Sequence, residues 1–374
     1  MRKGIAFFIL IILMAATLLY GYLYVPQVQN KIAKITEENF SEDNIYSDME
    51  SLSMRLDQEI LNGSDSFVVY LKGMDVDEIG GINKSVNGIY GSGLSYQQVG
   101  SIGKTYTKVK ITVWKTINYY ALNAYMNKEP IPEDQPKAKE LYNAICCAMG
   151  TAIKEDMTDF QKELALHDYL VSHCKYSEDA KQSEDSDIYR AYGALVNGDA
   201  VCNGYAEAMD ILLRCVGIES EFVIGRAYST QAGWVDHAWN LVNIDGNWYH
   251  LDATWDDPVP DQGDKLIHSY FNVTDDIIGQ NHEWERDNYP KAATMDYNYY
   301  EKTDKYFSDI EGYQNEAYSD LIYGNSKRFE GVVENYQENE EDMQFVFEGN
   351  SKYDKIGWQT FQLGTYSVLI IDVE

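Results

Sequence analysis

Cys202, His237 and Asp252 have the types and the order of a nucleophile, a base and an orienting acid, and all three fall in "DAVCNGYAEAMDILLRCVGIESEFVIGRAYSTQAGWVDHAWNLVNIDGNWYHLDATW". A thiol attacks efficiently near neutral pH only where its thiolate is favoured, by a positive field or a neighbouring base. Asp199 and Asn203 are turn residues. The run "NGYAEAMDILLRC" has helix-forming composition, with Tyr205, Met209, Leu212 and Leu213 on one face, so Cys202 is expected in the first turn of a helix. There the unpaired N–H groups and the positive end of the dipole favour a thiolate. Gly204 reads as room for a substrate backbone to approach.

The other two residues need a sheet. His237 opens "HAWNLVNI", which meets "NWYHLDATW" across Asp245-Gly246, a strong signal for a two-residue hairpin turn. That register sets Asp252 opposite Trp239, with His237 two residues further along on the same face, within reach of an imidazole–carboxylate hydrogen bond. A three-residue loop would reverse the parity and separate them. His250 falls opposite Leu241 on the same face and competes as a base. The cysteine helix must pack against this sheet face, and Trp239, Trp248 and Trp255 supply an aromatic surround.

These residues resemble the transglutaminase-like superfamily, whose fold is related to papain-type cysteine peptidases. The resemblance is carried by "AVCNGYAEAMDILLRCVGI", "DHAWNLVNIDGNWYHLDATW" and the upstream "LALHDYLVSHCKYS". It implies an α+β core in which a helix bearing the cysteine packs on an antiparallel sheet bearing the histidine and aspartate, with small α+β or β-rich modules on either side. It further implies Cys202 as nucleophile, His237 as general base and acid, and Asp252 as the carboxylate that orients the imidazole. The chemistry would be acyl transfer from a carboxamide through a Cys202 thioester, resolved by an amine to give a crosslink or by water to give hydrolysis. The Cys202 backbone N–H would serve the oxyanion hole, with Tyr192 and Trp239 as candidates for the second donor. No metal and no organic cofactor is required.

Composition sets the setting. The chain has 374 residues, 45% of them hydrophobic, enough for more than one cored domain. Sixty acidic residues against thirty basic give a net charge of -30, which repels phosphate backbones, so nucleic acid is not an expected partner. The acidity reads as a solvated surface on an exported protein. Arg2 and Lys3 precede an uncharged apolar run from Ile5 to Tyr24, about the length that spans a hydrocarbon core. Its end, "LLYGYLYVP", offers no small-residue cleavage site, so residues 1–25 are expected to be a single-pass signal anchor with everything after it extracytoplasmic. Cleavage would make the protein secreted instead. Five cysteines make no disulfide scaffold: Cys146 and Cys147 read as core, Cys174 and Cys215 as buried thiols or a pair.

Three further segments are expected. Residues 26–136 read as a stalk, a helix over "NIYSDMESLSMRLDQEIL", strands "SFVVYLKG" and "YTKVKITVW", and a glycine-rich stretch between them. "GKT" at Gly103–Thr105 is not a phosphate loop, because Gln98 stands where a glycine is needed and β-branched alternation follows. Pro130, Pro132 and Pro136 place a boundary before a core at 137–290. In "MTDFQKELALHDYLVSHCKY", Phe160, Leu164, His167 and Leu170 form a stripe; His167 and His173 lack partners at metal spacing and read as core or helix surface. Asp256, Asp257, Asp261 and Asp264 read as an exposed acidic loop. After Pro290, residues 291–374 are tyrosine-rich and polar, with "DMQFVFEGN" and "YSVLIIDVE" as strands. A faint echo links "FVVYLKGMDVDEIG" with "FVFEGNSKYDKIG", as if two small modules of one fold flanked the core.

Three functions fit these residues: an acyltransferase acting on protein or peptide at the cell surface or wall, a cysteine peptidase or amidase with the same triad, and a non-catalytic adhesion or assembly module.

Overall fold

The computed structural model describes residues 19–21, 23–36, 40–61, 64–79, 92–177, 187–230, 233–259, 265–324, 326–337, 339, 342, 352–363 and 366–374. Most of the apolar run from Ile5 to Tyr24 lies outside them. Among the described residues no helix is long and apolar enough to cross a membrane. The chain forms two compact units that meet between Tyr120 and Ala121.

In the first unit the expected stalk is a helix, α1 (Pro26–Thr36), with proline in the first turn, where its missing N–H costs nothing. Strand β1 (Ile45–Tyr46) precedes helix α2 (Met49–Leu61), which buries Leu52 and Leu56. Strands β2 (Ser66–Lys72), β3 (Ser92–Ile102) and β4 (Tyr106–Lys115) complete a sheet of order β1-β2-β4-β3, parallel only between β1 and β2. The described part of the glycine-rich stretch is strand β3, its alternation diluted in sequence by Gly93 and Gly100 and interrupted by a register shift between Gln98 and Gly100; residues 80–91 lie outside the described residues.

The second unit begins within helix α3 (Ile117–Asn127) and continues through α4 (Pro136–Ala152) and α5 (Asp159–His173), the latter closed at its start by a Thr158–Gln161 capping box. Its buried face carries Glu163, Leu166, His167, Leu170 and Val171 rather than the expected stripe through Leu164. Short strands β5 (Lys175–Tyr176) and β6 (Asp199–Ala200) pair in parallel and lead into helix α6 (Cys202–Cys215). Then come β7 (Ser220–Ser229), β8 (Gly233–Ile244), β9 (Asn247–Leu251), β10 (Phe271–Val273), a helical turn α7 (Asp275–Ile278) and β11 (His282–Trp284), in a sheet of order β10-β9-β8-β7-β11.

Strand β8 is buried at every position from His237 to Val242, because both sheet faces are covered. On one side Asn240 donates from Nδ2 to the Ala206 carbonyl of α6 at 3.0 Å. On the other, Trp239 and Leu241 join Ile267, Tyr270, Val332, Val368 and Ile370 in one apolar cluster. Each such fully buried side chain contributes about 1.5–3 kcal/mol. The last three come from a second sheet: after α8 (Tyr299–Lys302), strands β12 (Tyr306–Phe307), β13 (Arg328–Glu334), β14 (Ile356–Leu363) and β15 (Tyr366–Val373) align as β12-β13-β15-β14, with helix α9 (Ile310–Tyr318) on the opposite face.

Several expectations fail for identifiable reasons. Asp256 and Asp257 are buried rather than exposed, since each has partners inside: Asp256 accepts from the Tyr270 N–H and Asp257 from the Tyr205 hydroxyl. Asp261 and Asp264 lie outside the described residues, as does most of "DMQFVFEGN". Cys147 is exposed and Cys146 half-buried, because α4 turns Leu141, Ile145 and Ala148 inward instead. All five cysteines are free thiols.

The two flanking sheets share strand order, the same parallel first pair and a helix between their first two strands. Their registers correspond. Tyr46 pairs with Leu71 as Phe307 pairs with Val333, and Lys72 with Tyr106 as Glu334 with Tyr366. "YSDME" and "FSDIE" begin the two helices, and Asp48 and Asp309 each accept the backbone N–H three residues on, at 2.8 and 2.9 Å. The repeat therefore aligns β2 with β13, not with the later segment the sequence echo chose. Asp48→Ala and Asp309→Ala should each cost about 1 kcal/mol in the unit that holds them, read by urea unfolding, whereas Asn at either site should cost little.

Candidate active site

Helix α6 starts at Cys202, directly after an extended Val201 that gives no side-chain cap. The thiol therefore sits at the first helical position, half-buried, where the chain's own N–H groups point outward. Gly204 is not open to a substrate: a Cβ there would stand 2.7 Å from the Ile188 carbonyl and 2.8 Å from the Ala200 Cβ, so the glycine lets the chain's own backbone pack under the helix start.

The hairpin forms as its turn chemistry requires, with Asp245 and Gly246 both at positive φ (52° and 83°) and Asn240 paired with Leu251. Asp252 follows directly, and its Oδ2 lies 2.6 Å from His237 Nε2. The Cys202 thiol lies near enough to the His237 ring to help raise its pKa. With Nε2 given to Asp252, Nδ1 is the ring nitrogen left for sulfur. The structure thus brings Cys202, His237 and Asp252 together, although α6 is anchored through Asn240, a residue of opposite parity to His237, and reaches the imidazole at the helix end.

Asp252 is fully buried and has four donors. Its Oδ1 accepts the N–H groups of Thr254 (3.0 Å) and Trp255 (3.2 Å), and its Oδ2 takes a second imidazole, His282 Nε2, at 3.1 Å. Burial alone would raise its pKa, but the His237 charge and the two histidine hydrogen bonds hold it well below the usual carboxylate range. Burial likewise pulls His237 down, yet the Asp252 charge and hydrogen bond, with the Cys202 thiol beside them, raise it to about 10. Burial dominates at His282 and lowers its pKa. His237, Asp252 and His282 also bring ligand atoms within 4.8 Å of one another.

The two candidate oxyanion donors are committed elsewhere. Trp239 Nε1 donates to His250 Nδ1 at 2.9 Å, and the Tyr192 hydroxyl to Glu140. His250 Nε2 in turn meets Asp275 Oδ1 at 3.0 Å, so His250 braces the tryptophan that stacks on His237, at 5.8 Å between ring centroids, and is no competing base. Two neighbours escaped the sequence. His282 arrives on a three-residue strand paired with β7, too short to carry a period. Tyr176 is set beside Ala200 by the β5–β6 pairing; burial raises its phenol, and Cys202, Tyr189 and Asp252 add to the effect. "KYS" after a helix was the only trace of it.

Residues 148–253 match the family model described as Transglutaminase-like superfamily. This segment carries a transglutaminase-like core. The fold is of the α+β class, with helices packed on a mostly antiparallel sheet. Among curated proteins, the chain is 28% identical over 110 residues to the mouse (Mus musculus) Kyphoscoliosis peptidase, covering 28% of this chain and 17% of that protein. It is 25% identical over 172 residues to the human (Homo sapiens) one, covering 41% and 26%. The chain thus spans about a quarter or less of these relatives. A solved TGase structure aligns over 56% of this chain and 58% of its own, at 14% identity and a TM-score of 0.26.

The ion pair fixes a pH dependence. The unfolded imidazole titrates near 6.5 and the folded one near 10, so the folded state holds the extra proton; this stability is full below pH 6.5 and lost as pH rises toward 10. The depressed Asp252 contributes stability present above its unfolded value of 3.8 and lost as pH falls below it. His237→Gln should therefore lower the melting temperature most between about pH 4.5 and 6.5 and least near pH 10. An equal loss at every pH would show that the imidazole is not held charged.

Proposed function

We propose that this protein is an extracytoplasmic thiol acyltransferase of transglutaminase-like type, acting on protein or peptide carboxamides at the cell surface or cell wall. The observation that carries the reading is the His237 ring, hydrogen-bonded to the buried Asp252 with the Cys202 thiol close by. In the reaction, the proton already rests on the His237 ring, and the Cys202 thiolate beside it attacks the carbonyl carbon. The proton then leaves with the departing amine as the C–N bond breaks and a thioester remains. An incoming amine gives its proton to His237 and its nitrogen to the acyl carbon, the C–S bond breaks, and the thiolate–imidazolium pair is restored. Asp252 keeps Nε2 protonated and the ring oriented throughout. The Cys202 backbone N–H offers one oxyanion donor, and the Tyr176 phenol is the side chain we assign to the second. Attachment through the apolar run from Ile5 to Tyr24 is part of the same proposal.

A second reading keeps the site and lets water resolve the thioester, making the protein a peptidase or amidase. It is favoured by the name of the mouse and human relatives. Mass analysis of products from a glutamine-containing peptide, with and without a primary amine, separates the two: an amine adduct supports transfer, and acid or cleaved peptide alone supports hydrolysis.

Both readings require an activated thiol. With a thiol alkylator at mildly acidic pH, Cys202 should label at least about tenfold faster than the other four cysteines, and His237→Ala should remove that advantage. Asp252→Asn should lower kcat by on the order of a thousandfold or more, and Tyr176→Phe by about a hundredfold. Ordinary labelling of Cys202 in the folded protein would remove the basis of both readings and leave a binding module.

A further inference from the structure

Away from Cys202, helix α5 and the segment before β10 bring a second group of imidazoles and carboxylates together. His167 Nδ1 and His268 Nε2 each lie 3.0 Å from Asp168 Oδ1. The ligand atoms of the three residues all fall within 4.8 Å of one another. Both rings are buried, while the Asp168 side chain is 39% exposed on the wall of a groove of about 510 Å³ that Lys154, Asp156 and Gln161 also line.

The outer nitrogens of the two rings face carboxylates. His268 Nδ1 lies 2.9 Å from Glu330 Oε2, and His167 Nε2 lies 3.3 Å from Asp256 Oδ2. These carboxylates are themselves fixed: Glu330 Oε1 accepts the His268 N–H at 2.8 Å and the Tyr300 hydroxyl at 2.5 Å, and Asp256 Oδ1 accepts the Tyr270 N–H at 2.9 Å. Imidazoles whose inner nitrogens converge on a carboxylate, and whose outer N–H groups are steered by further carboxylates, have the two-shell arrangement of a transition-metal site.

Two observations separate this group from an ordinary polar core. His167 Nε2 and Asp256 Oδ2 are both buried and neither makes a regular hydrogen bond. A metal on His167 Nδ1 would fix the proton on Nε2 and aim a donor at that carboxylate. Glu330, moreover, stands where the N-terminal copy of the module has Val68, as the matched strand registers place them. The module's own fold therefore does not call for a carboxylate at that position.

We infer that His167 Nδ1, His268 Nε2 and the Asp168 carboxylate form a binding site for a divalent transition metal of the zinc class, with a fourth position open to the groove for water. Two nitrogens and one carboxylate oxygen suit Zn²⁺ in tetrahedral coordination. The bound ion would pin α5 to the segment before β10 and, through Glu330, to the C-terminal sheet, all within residues 121–374.

The full chain carrying Cys202→Ala, which removes the thiol as a rival ligand, is stripped with a chelator and titrated with Co²⁺ and then Zn²⁺. One equivalent of Co²⁺ should bind with visible d–d bands of tetrahedral intensity, Zn²⁺ should displace it, and Zn²⁺ should raise the melting temperature. Asp168→Asn, at a half-exposed position, should weaken Zn²⁺ binding at least about a hundredfold, with His268→Gln alike. Glu330→Gln should weaken it by about 10–100-fold. Absence of a saturable one-to-one site, binding that survives Asp168→Asn, or binding that is lost instead in His282→Gln would overturn the assignment. The titration of the Cys202→Ala chain alone decides the first of these, whether or not a further substitution folds.

Discussion

A carboxylate with no access to water needs donors on every side, and Asp252 dictates where those donors are. Its charge is held by two imidazoles and two backbone N–H groups. Removing a buried ion's partner costs far more than an exposed pair gains, so every element that supplies a donor is constrained. Strand β8 must bring His237, β11 must bring His282, and the turn after β9 must offer Thr254 and Trp255. The five-stranded sheet is the scaffold on which all of these meet.

That sheet could not stand alone. Strand β8 is buried on both faces, and α6 covers only one of them. The C-terminal sheet supplies the other cover through Val332, Val368 and Ile370. Trp239 sits at the junction, stacked on His237, with its N–H given to His250 and its ring against Trp284. Packing and site geometry are therefore linked through one indole.

The sequence exposed the site unevenly, for physical reasons. The pairing of His237 with Asp252 was legible because Asp245-Gly246 admits one turn type and a two-residue turn fixes parity. The start of α6 at Cys202 was legible from turn residues followed by helical periodicity. Burial of Asp256 and Asp257 was not, since a run of carboxylates looks solvated until its partners, Tyr270 and Tyr205, are known. Gly204 was misread because close approach by substrate and close approach by the chain itself leave the same mark. His282, Glu330 and His268 depend on pairings between distant segments, which no local period encodes. The duplicated module left its clearest trace in two short cap sequences, while the strands around them diverged.

The apolar cluster behind β8 has a consequence for how this protein is divided. The segment that matches the family model ends at residue 253, one residue past Asp252. Yet the carboxylate's second imidazole and the side chains that cover its sheet come from residues far beyond that point. The unit of kinship is thus shorter than the unit of folding. A duplicated neighbour has become a wall of the candidate site, so changes deep in that neighbour can reach Asp252 without any residue of the triad being touched.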